Sequence, residues 1–360
     1  MPKVEATENT VSTPAGARRA LGSAHASFLL AVSLACGSAA ALSGCAAGPV
    51  RWQSQLGLEH PLTGRIWDVA EQSFTTEDAM MDRLAAARFV LAGEQHDDPD
   101  HHVLQARIIK ALVRRDQRPA VVMEMLDVDD TEAIHSCLEA FRCTPERFAA
   151  AVDWEHSGWP DWHIYEPVLA AALRAGLPIA PASLTPARVH AFATTGDLGD
   201  DAEAIHRLGL DVPLAPEVHD AIAADVRESH CGYAPEEMIE GMVAAQRLRD
   251  AHMAESLLMA APLGHAVLIA GLEHVRGDRA VPVRLRVLAP EDGVLSVGLL
   301  EVDDEATSPG DYARRFGTES IPLDFVWFTP RMDDSDPCEK FREQLEKIRE
   351  PAKDGGGSKM

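Results

Sequence analysis

The sequence predicts an α/β fold in which a mixed, mostly parallel sheet is flanked by helices. Residues 89–92 and 120–123 are short apolar runs typical of buried strands, and apolar residues at helical spacing lie between them. A strand, a helix and a second strand in this order form a βαβ unit, which joins parallel strands. Residues 265–270 (HAVLIA) repeat the strand pattern downstream and end in Gly271-Leu272-Glu273-His274. These runs indicate one sheet whose strand ends carry polar residues, where open α/β sheets bind ligands.

Residues 1–44 are predicted to be a lipoprotein signal peptide. Arg18 and Arg19 precede an apolar stretch, residues 28–42, which is too short for a stable transmembrane helix. Small residues then precede a single cysteine, Cys45, as in a bacterial lipobox, although an ordinary secretory signal is the alternative reading. The prediction is that Cys45 is lipidated and anchors the protein in the bacterial cell envelope. Ala46 favours the outer membrane.

The composition is that of a globular protein with an acidic surface. Hydrophobic residues make up 46% of the chain, and the formal net charge is −24. Such a charge argues against nucleic acid as a partner and against electrostatic docking on anionic lipid. Attachment to a membrane would therefore depend on the lipid anchor itself.

The remaining segments complete one α/β domain over residues 71–332, preceded by a lipidated N-terminus and linker at residues 45–70. A helical insertion that could form a lid or subdomain is expected at about residues 186–232, and a charged, partly disordered tail at residues 333–360. Helices are predicted at residues 76–88, 131–141, 145–152, 167–175 and 234–261, and further strands at residues 177–181, 283–287, 294–302 and 324–328.

Cysteine usage leaves the disulfide pattern open. Cys137 and Cys143 are a possible disulfide in an oxidising compartment. In one continuous helix they would lie about 9 Å apart along the axis, too far to bridge. Thr144-Pro145-Glu146 resembles a new helix start, so a break there could bring them together, but free buried thiols are an equal alternative.

Four side chains are candidates for chemistry at the strand ends: Glu94, His96, Glu124 and His274. Their oxygen and nitrogen donors suit a divalent metal such as Zn²⁺ or Mn²⁺. A metal with open coordination could activate water for hydrolysis, with Glu273 or Glu94 as general base. The alternative is that each side chain merely caps a helix or turn, but three converging strand ends favour a functional site.

At these residues the chain resembles the ChaN-type haem-binding lipoproteins, a family grouped with Tiki, TraB and the erythromycin esterases. The resemblance covers about residues 75–300. The matching residues are Gly93-Glu94-x-His96, His102 with Gln105, Glu124, the tryptophan-rich window 154–165, Gln246-x-x-Arg249-Asp250-x-x-Met253-Ala254 and Gly271-x-x-His274. For the ChaN branch the resemblance implies haem binding and iron acquisition at the envelope. For the Tiki and esterase branches it implies hydrolysis with the same Glu and His positions.

A haem site needs an axial ligand, an apolar slot and a cation near the propionates. The candidate ligands are His96 and His274, together with Tyr165 in the aromatic window and Tyr233. Arg249 is the candidate cation, with an ordinary surface ion pair as its alternative. The tryptophans could serve the slot or simply pack.

The leading functional prediction is therefore haem binding, or binding of a related metal cofactor, for iron acquisition. A metal-dependent esterase or peptidase that uses Glu94, His96, Glu124 and His274 as catalytic residues is the alternative, and a protein with a degenerate site is the third. Partners would be the membrane through the lipid anchor and the haem-uptake machinery. A homodimer that holds haem between two copies is left open.

Overall fold

A mixed sheet of eight strands organises the fold in the computed structural model, which describes residues 48–199, 202–262 and 264–349. The strands are β1 Ile66–Asp68, β2 Ser73–Thr75, β3 Phe89–Glu94, β4 Ala120–Asp127, β5 Ile179–Ser183, β6 Ala266–Gly271, β7 Val294–Glu301 and β8 Phe325–Thr329. Their order across the sheet is β2-β1-β8-β7-β3-β6-β4-β5. Strands β3 to β8 are joined by parallel pairings, whereas β1 is antiparallel to both β2 and β8. The predicted mixed, mostly parallel α/β sheet is confirmed.

Helices cover both faces of this sheet. In chain order they are α1 Glu77–Ala86, α2 Pro99–Arg114, α3 Thr131–Glu139, α4 Pro145–Ala151, α5 Trp162–Ala175, α6 Pro186–Thr195, α7 Ala202–Arg207, α8 Pro216–Ser229, α9 Glu236–Ala260, α10 Val281–Leu288 and α11 Pro337–Arg349. Alternate strand residues enter two separate cores, one with α1, α2 and α5 and the other with α9 and α10. Because successive side chains of a strand point to opposite faces, the continuous apolar runs of β3 and β6 are what a doubly covered strand requires.

Helices α6, α7 and α8 form the predicted helical insertion, and they pack mainly on α9 rather than on the sheet. Phe192 of α6 belongs to a small cluster with Leu248 of α9, and Ile222 of α8 belongs to another with Ile239 and Val243 of α9. The long helix α9 thus carries the insertion on one side and the sheet on the other.

Two of the sequence-based assignments of elements are wrong. Residues 283–287, predicted as a strand from the alternation of valine and arginine, lie in helix α10, where Pro282 occupies the first turn and Val281 and Leu285 are buried one turn apart. The predicted linker at residues 45–70 already contains β1, which pairs with β8. Both misses come from short segments whose tertiary partners decide their structure.

Helix α5 begins earlier than predicted, at Trp162 rather than at Pro167. Asp161 caps it by accepting a hydrogen bond from the backbone N–H of His163, so Pro167 lies inside the helix. This earlier start places Tyr165 on the buried face of the helix.

Two disulfides are present in the described part of the chain. Cys137 and Cys143 are bonded, which settles the alternative left open by the sequence, since α3 ends at Glu139 and α4 begins at Pro145. The second bond joins Cys231 to Cys338, which are 107 positions apart. It ties the turn after α8 to the first residues of α11.

None of the helices in residues 48–199, 202–262 and 264–349 is long and apolar enough to cross a membrane. The predicted signal peptide and Cys45 lie outside these residues, as does the Gly/Ser/Lys run at the carboxyl terminus.

Candidate functional site

The site begins where β3 and β6, neighbouring parallel strands, end side by side. Gly93 pairs with Ala270 and Glu94 with Gly271. A Cβ at Gly93 would lie 2.2 Å from Cγ2 of Val275, so only glycine lets the Leu272–Val275 turn fold over β3. The sequence therefore brings both Gly-x-x-His motifs to one edge of the sheet, as their strand-end positions predicted.

Glu94 and His96 form the first unit of the site. The side chain of Glu94 is fully buried, and its Oε1 lies 2.9 Å from Nδ1 of His96. Oε2 of Glu94 is buried without a hydrogen-bond partner in the described part of the chain. The ring of His96 is 39% exposed, and Trp159 contacts it edge to face with ring centroids 4.8 Å apart. No hydrogen bond among the described residues reaches Nε2 of His96.

Glu124, His274 and Asp250 form the second unit, a buried carboxylate–imidazole–carboxylate chain. Nε2 of His274 lies 3.3 Å from Oε1 of Glu124, and Nδ1 of His274 lies 2.7 Å from Oδ1 of Asp250 on α9. Oε2 of Glu124 accepts a 2.8 Å hydrogen bond from the backbone N–H of Gly271. The sequence predicted that Glu124 comes at the end of its strand. Instead, Glu124 lies inside β4, where the pairing with β5 is irregular between Met123 and Asp127.

The pKa values of three side chains in these two units, Glu124, His274 and His96, are shifted from their ordinary values. Burial is the largest single effect on Glu124 and opposes its negative charge. The charge and hydrogen bond of His274, the charge of His96 and the hydrogen bond from Gly271 together outweigh burial and lower the pKa of Glu124 to about 2. Burial also opposes the charge of His274, yet Glu124 and Asp250 raise its pKa to about 10. For His96, burial is again the largest opposing effect, and the hydrogen bond and charge of Glu94 raise the pKa above its ordinary value. At neutral pH Glu124 is therefore negatively charged and His274 positively charged.

A cavity of about 620 Å³ opens above these units, a volume within the range of small-molecule sites. Glu94, His96, Asp250 and His274 line its polar floor. Its apolar walls include Ile222 and Val226 of α8 together with Leu272 and Leu299, and two cations, Arg279 and Arg315, also line it. The cavity thus combines an exposed imidazole, an apolar slot and guanidinium groups.

The predicted metal site is not formed by the described residues. No group of three or more of their His, Cys, Asp or Glu side chains has the spacing of a metal site. Glu94, His96, Glu124 and His274 converge as predicted, but both ring nitrogens of His274 are engaged by carboxylates, and Glu124 is engaged by His274 and Gly271. They meet as two ion-paired units rather than as four ligands directed at one point.

Three other predicted cofactor-binding residues lie away from the cavity lining. Tyr165 is buried beneath His96, and its hydroxyl donates a 3.2 Å hydrogen bond to the carbonyl oxygen of His96. Tyr233 is 51% exposed and faces the ring of Phe341. Arg249 is exposed on the outer side of α9.

Three residues that the sequence analysis did not assign to the site line the cavity instead. Asp250, next to Arg249, points inward to His274, because consecutive residues of a helix face about 100° apart. Arg279 and Arg315 supply the cations of the cavity. Only Asp250 carried a sequence signal, as part of the Gln246–Ala254 motif.

His101 and His102 lie buried in the first turn of α2, whose N-cap is Asp98. Nε2 of His102 donates to the carbonyl oxygen of His96 at 3.1 Å, and its Nδ1 lies 2.9 Å from Oε1 of Gln105. These residues hold the backbone of His96 in place from below.

Fold and site together define a class: an α/β protein whose parallel strand ends present paired Glu and His side chains to one cavity. The family model described as haem-binding uptake, Tiki superfamily, ChaN matches residues 80–285. The chain belongs to this family, as the resemblance predicted. No protein with a curated description matches the sequence significantly.

Of three similar solved structures, the first agrees on the fold. ChaN of Campylobacter jejuni, described with cofacial haem binding, is 20% identical, with a TM-score of 0.58 over 73% of this chain and 95% of its own. The type III effector HopBA1 is 11% identical, with a TM-score of 0.38 over 70% of this chain and 91% of its own. The erythromycin esterase EreC in its open conformation is 13% identical, with a TM-score of 0.38 over 83% of this chain and 87% of its own.

Proposed function

We propose that the chain binds haem in the cavity at the strand ends, with His96 as the axial ligand, and serves iron acquisition at the cell envelope. The proposal rests on the His96 ring, which lines the cavity: Nδ1 is held by Glu94, and Nε2 has no hydrogen-bond partner within the described part of the chain. A metal-ligating histidine usually donates its second ring N–H to a carboxylate, a backbone carbonyl or water, and Glu94 occupies that place beside His96.

The other lining residues fit the rest of the porphyrin. Ile222, Val226 and Leu299 offer the apolar surface that a macrocycle needs. Arg315 is exposed at the cavity and can meet a propionate, the role that the sequence assigned to Arg249. His274, enclosed by Glu124 and Asp250, supports the floor and is not the ligand. When bound, haem supplies the iron centre, and the protein supplies position and charge.

A proton would compete with iron for His96. Glu94 raises the pKa of His96 above its ordinary value, and only the neutral ring could bind iron through Nε2. Glu94, fully buried beside it, keeps the neutral ring in the tautomer with its proton on Nδ1.

An absorbance titration with haem tests the proposal on the protein beginning at Ala46. We expect a saturable shift of the Soret band in the wild type and a loss of affinity of at least tenfold in His96→Ala. His156→Ala is the matched control, because His156 is 76% exposed and paired with Asp153 away from the cavity. Binding that does not saturate, or that His96→Ala leaves intact, contradicts the proposal.

The proposed location at the cell envelope rests on the sequence around Cys45, which lies outside the described residues. A lipid on Cys45 would hold the protein at the envelope, on the outer membrane, next to the haem-uptake machinery, and a second copy of the chain could share the haem. Membrane fractionation of the wild type and of Cys45→Ser tests the anchor. We expect the variant to leave the membrane fraction, and retention there would contradict the anchor.

A further inference from the structure

The Cys231–Cys338 disulfide lies at the wall of the cavity, and both cysteines line it. Cys231 is in the turn that leads from α8 to α9, where Cys231 and Gly232 both adopt a left-handed backbone, with φ of 52° and 71°. Cys338 is the second residue of α11. Both cysteines are only partly buried, so a small thiol reagent can reach the bond.

Helix α8 covers the cavity without belonging to the main cores. Ile222, Asp225, Val226 and Ser229 line the cavity from this helix. Its buried side chains join a small cluster with α9 that is separate from both cores of the sheet. A helix held by one small cluster and a few partly exposed ion pairs can move as a unit while the sheet stays intact.

The disulfide links the end of α8 to the sheet through the segment that joins β8 to α11. Just after β8, the backbone N–H of Met332 donates a 2.7 Å hydrogen bond to Glu301 at the end of β7. The chain then reaches Cys338, which is bonded to the turn after α8. Phe341 of α11 adds ring contacts with His230 and Tyr233 in that turn, with centroids 5.7 and 6.2 Å apart.

At the cavity, ion pairs also tie α8 to the rest of the site. Asp225 forms an ion pair with Arg279 and lies 3.6 Å from Arg276. Burial raises the pKa of Asp225, and Arg279 opposes that effect. Such a pair can open and re-form in water, whereas a disulfide cannot without a redox partner.

We propose that the Cys231–Cys338 disulfide is a reducible latch that keeps α8 closed over the cavity, and that a dithiol reductant opens it. One thiolate of the dithiol attacks a sulfur of the disulfide and forms a mixed disulfide, releasing one cysteine thiolate. The second thiolate then displaces the other cysteine. Two electrons pass from the dithiol, which becomes a disulfide, and both cysteines end as protonated thiols. The identity of the ligand that gains access rests on the proposed function, but the motion of α8 does not.

Hydrogen–deuterium exchange without haem tests the motion directly. Three purified proteins are compared: the wild type with and without dithiothreitol, the latch variant Cys231→Ser/Cys338→Ser, and the control Cys137→Ser/Cys143→Ser, which removes the disulfide far from the cavity. Reduction or loss of the latch should speed exchange at least tenfold in residues 216–232. Over the time in which residues 216–232 exchange, residues 99–127, in α2 and β4, should stay protected in every form. The control should match the oxidised wild type.

The rate of haem association, followed by the Soret band in a stopped-flow instrument, tests the consequence. We expect it to rise at least tenfold in the latch variant and in the reduced wild type, with no further effect of dithiothreitol on the variant. If residues 216–232 exchange equally in all forms, the latch is wrong, whether or not haem binds. If exchange rises but haem binds to none of the proteins, the latch stands and the proposed function fails.

Discussion

At the scale of single residues, the site depends on charges that are buried only because each has a partner. Glu124 and His274 lie 6% and 7% exposed, and each would be costly to bury alone. Asp250 completes the chain by engaging the second nitrogen of His274. Removing one member therefore leaves the others unpaired, which costs more than the pair itself contributes.

The pH dependence of stability follows from the two shifted pKa values. Glu124 titrates near 2 in the folded protein instead of 4.5, so its contribution is complete above pH 4.5 and lost as the pH falls through 2. His274 titrates near 10 instead of 6.5, so its contribution is complete below pH 6.5 and lost as the pH rises through 10. Both contributions are complete together between pH 4.5 and 6.5.

Glu124→Gln should lower the free energy of unfolding by about 3 kcal/mol, since it leaves the buried imidazolium with one carboxylate. It should also lower the pKa of His274, so that the alkaline loss of stability begins at a lower pH. Urea unfolding between pH 5 and 10 and an NMR titration of the His274 ring measure the two effects. Glu273→Gln is the control, because the side chain of Glu273 is 49% exposed and pairs with Arg276. An unchanged pKa of His274 in Glu124→Gln would show that the pair is not coupled.

Gly271→Ala should weaken haem binding about tenfold with little loss of stability. The added Cβ would lie 3.0 Å from both Cε1 and Nε2 of His96, so the ring must shift by a few tenths of an ångström from its position beside Glu94. Because His96 is partly exposed, the ring can turn, and the cost should fall on the site rather than on the fold. Soret titration and urea unfolding of the same variant separate the two effects. Normal haem affinity would place the ligand elsewhere.

At the scale of elements, the closeness of β3 to the Leu272–Val275 turn is a specific requirement of the site. Gly93→Ala would place a Cβ 2.2 Å from Val275 and 3.1 Å from the backbone of Leu272. We expect a loss of about 2 kcal/mol in the free energy of unfolding, because the turn has no room to retreat. Urea unfolding measures it, and a wild-type midpoint would show that the turn is free to shift.

The elements also show what the sequence could and could not predict. Strands β3 and β6 could be predicted because each is buried on both faces and is therefore continuously apolar. The polar residues that follow them predicted the convergence of Glu94, His96 and His274. The sequence assigned the cation near the propionates to Arg249, which lies on the exposed side of α9. Its neighbour Asp250 points inward instead, and the sequence could not show which of two consecutive helical residues does so. Tyr165 lies outside the cavity lining, which the sequence did not show because it did not place the start of α5 at Trp162, and Arg315 carried no local signal.

At the scale of the whole molecule, the two disulfides constrain the chain very differently. Cys231 and Cys338 are 107 positions apart, whereas Cys137 and Cys143 are 6 apart. In the chain-entropy account, a loop of about 100 residues contributes roughly 4–5 kcal/mol and a very short one roughly 2 kcal/mol. The long pairing could not be read from the sequence, because the closeness of Cys231 to Cys338 depends on the completed sheet.

Cys231→Ser/Cys338→Ser should therefore lower the free energy of unfolding more than Cys137→Ser/Cys143→Ser does. Urea unfolding of both variants and the wild type under oxidising conditions makes the comparison. If the two losses are equal, residues 231–338 are already constrained in the unfolded state, and the long disulfide adds no more than the short one.

The central claim is that His96 binds the haem iron, and rescue of His96→Ala with free imidazole tests it most directly. The absorption spectrum of the ferric haem complex is recorded for the wild type and for the variant, with and without added imidazole. We predict that the variant loses the wild-type spectrum and that imidazole restores it by occupying the vacated space beside Glu94. A variant that keeps the wild-type spectrum without imidazole would contradict the claim.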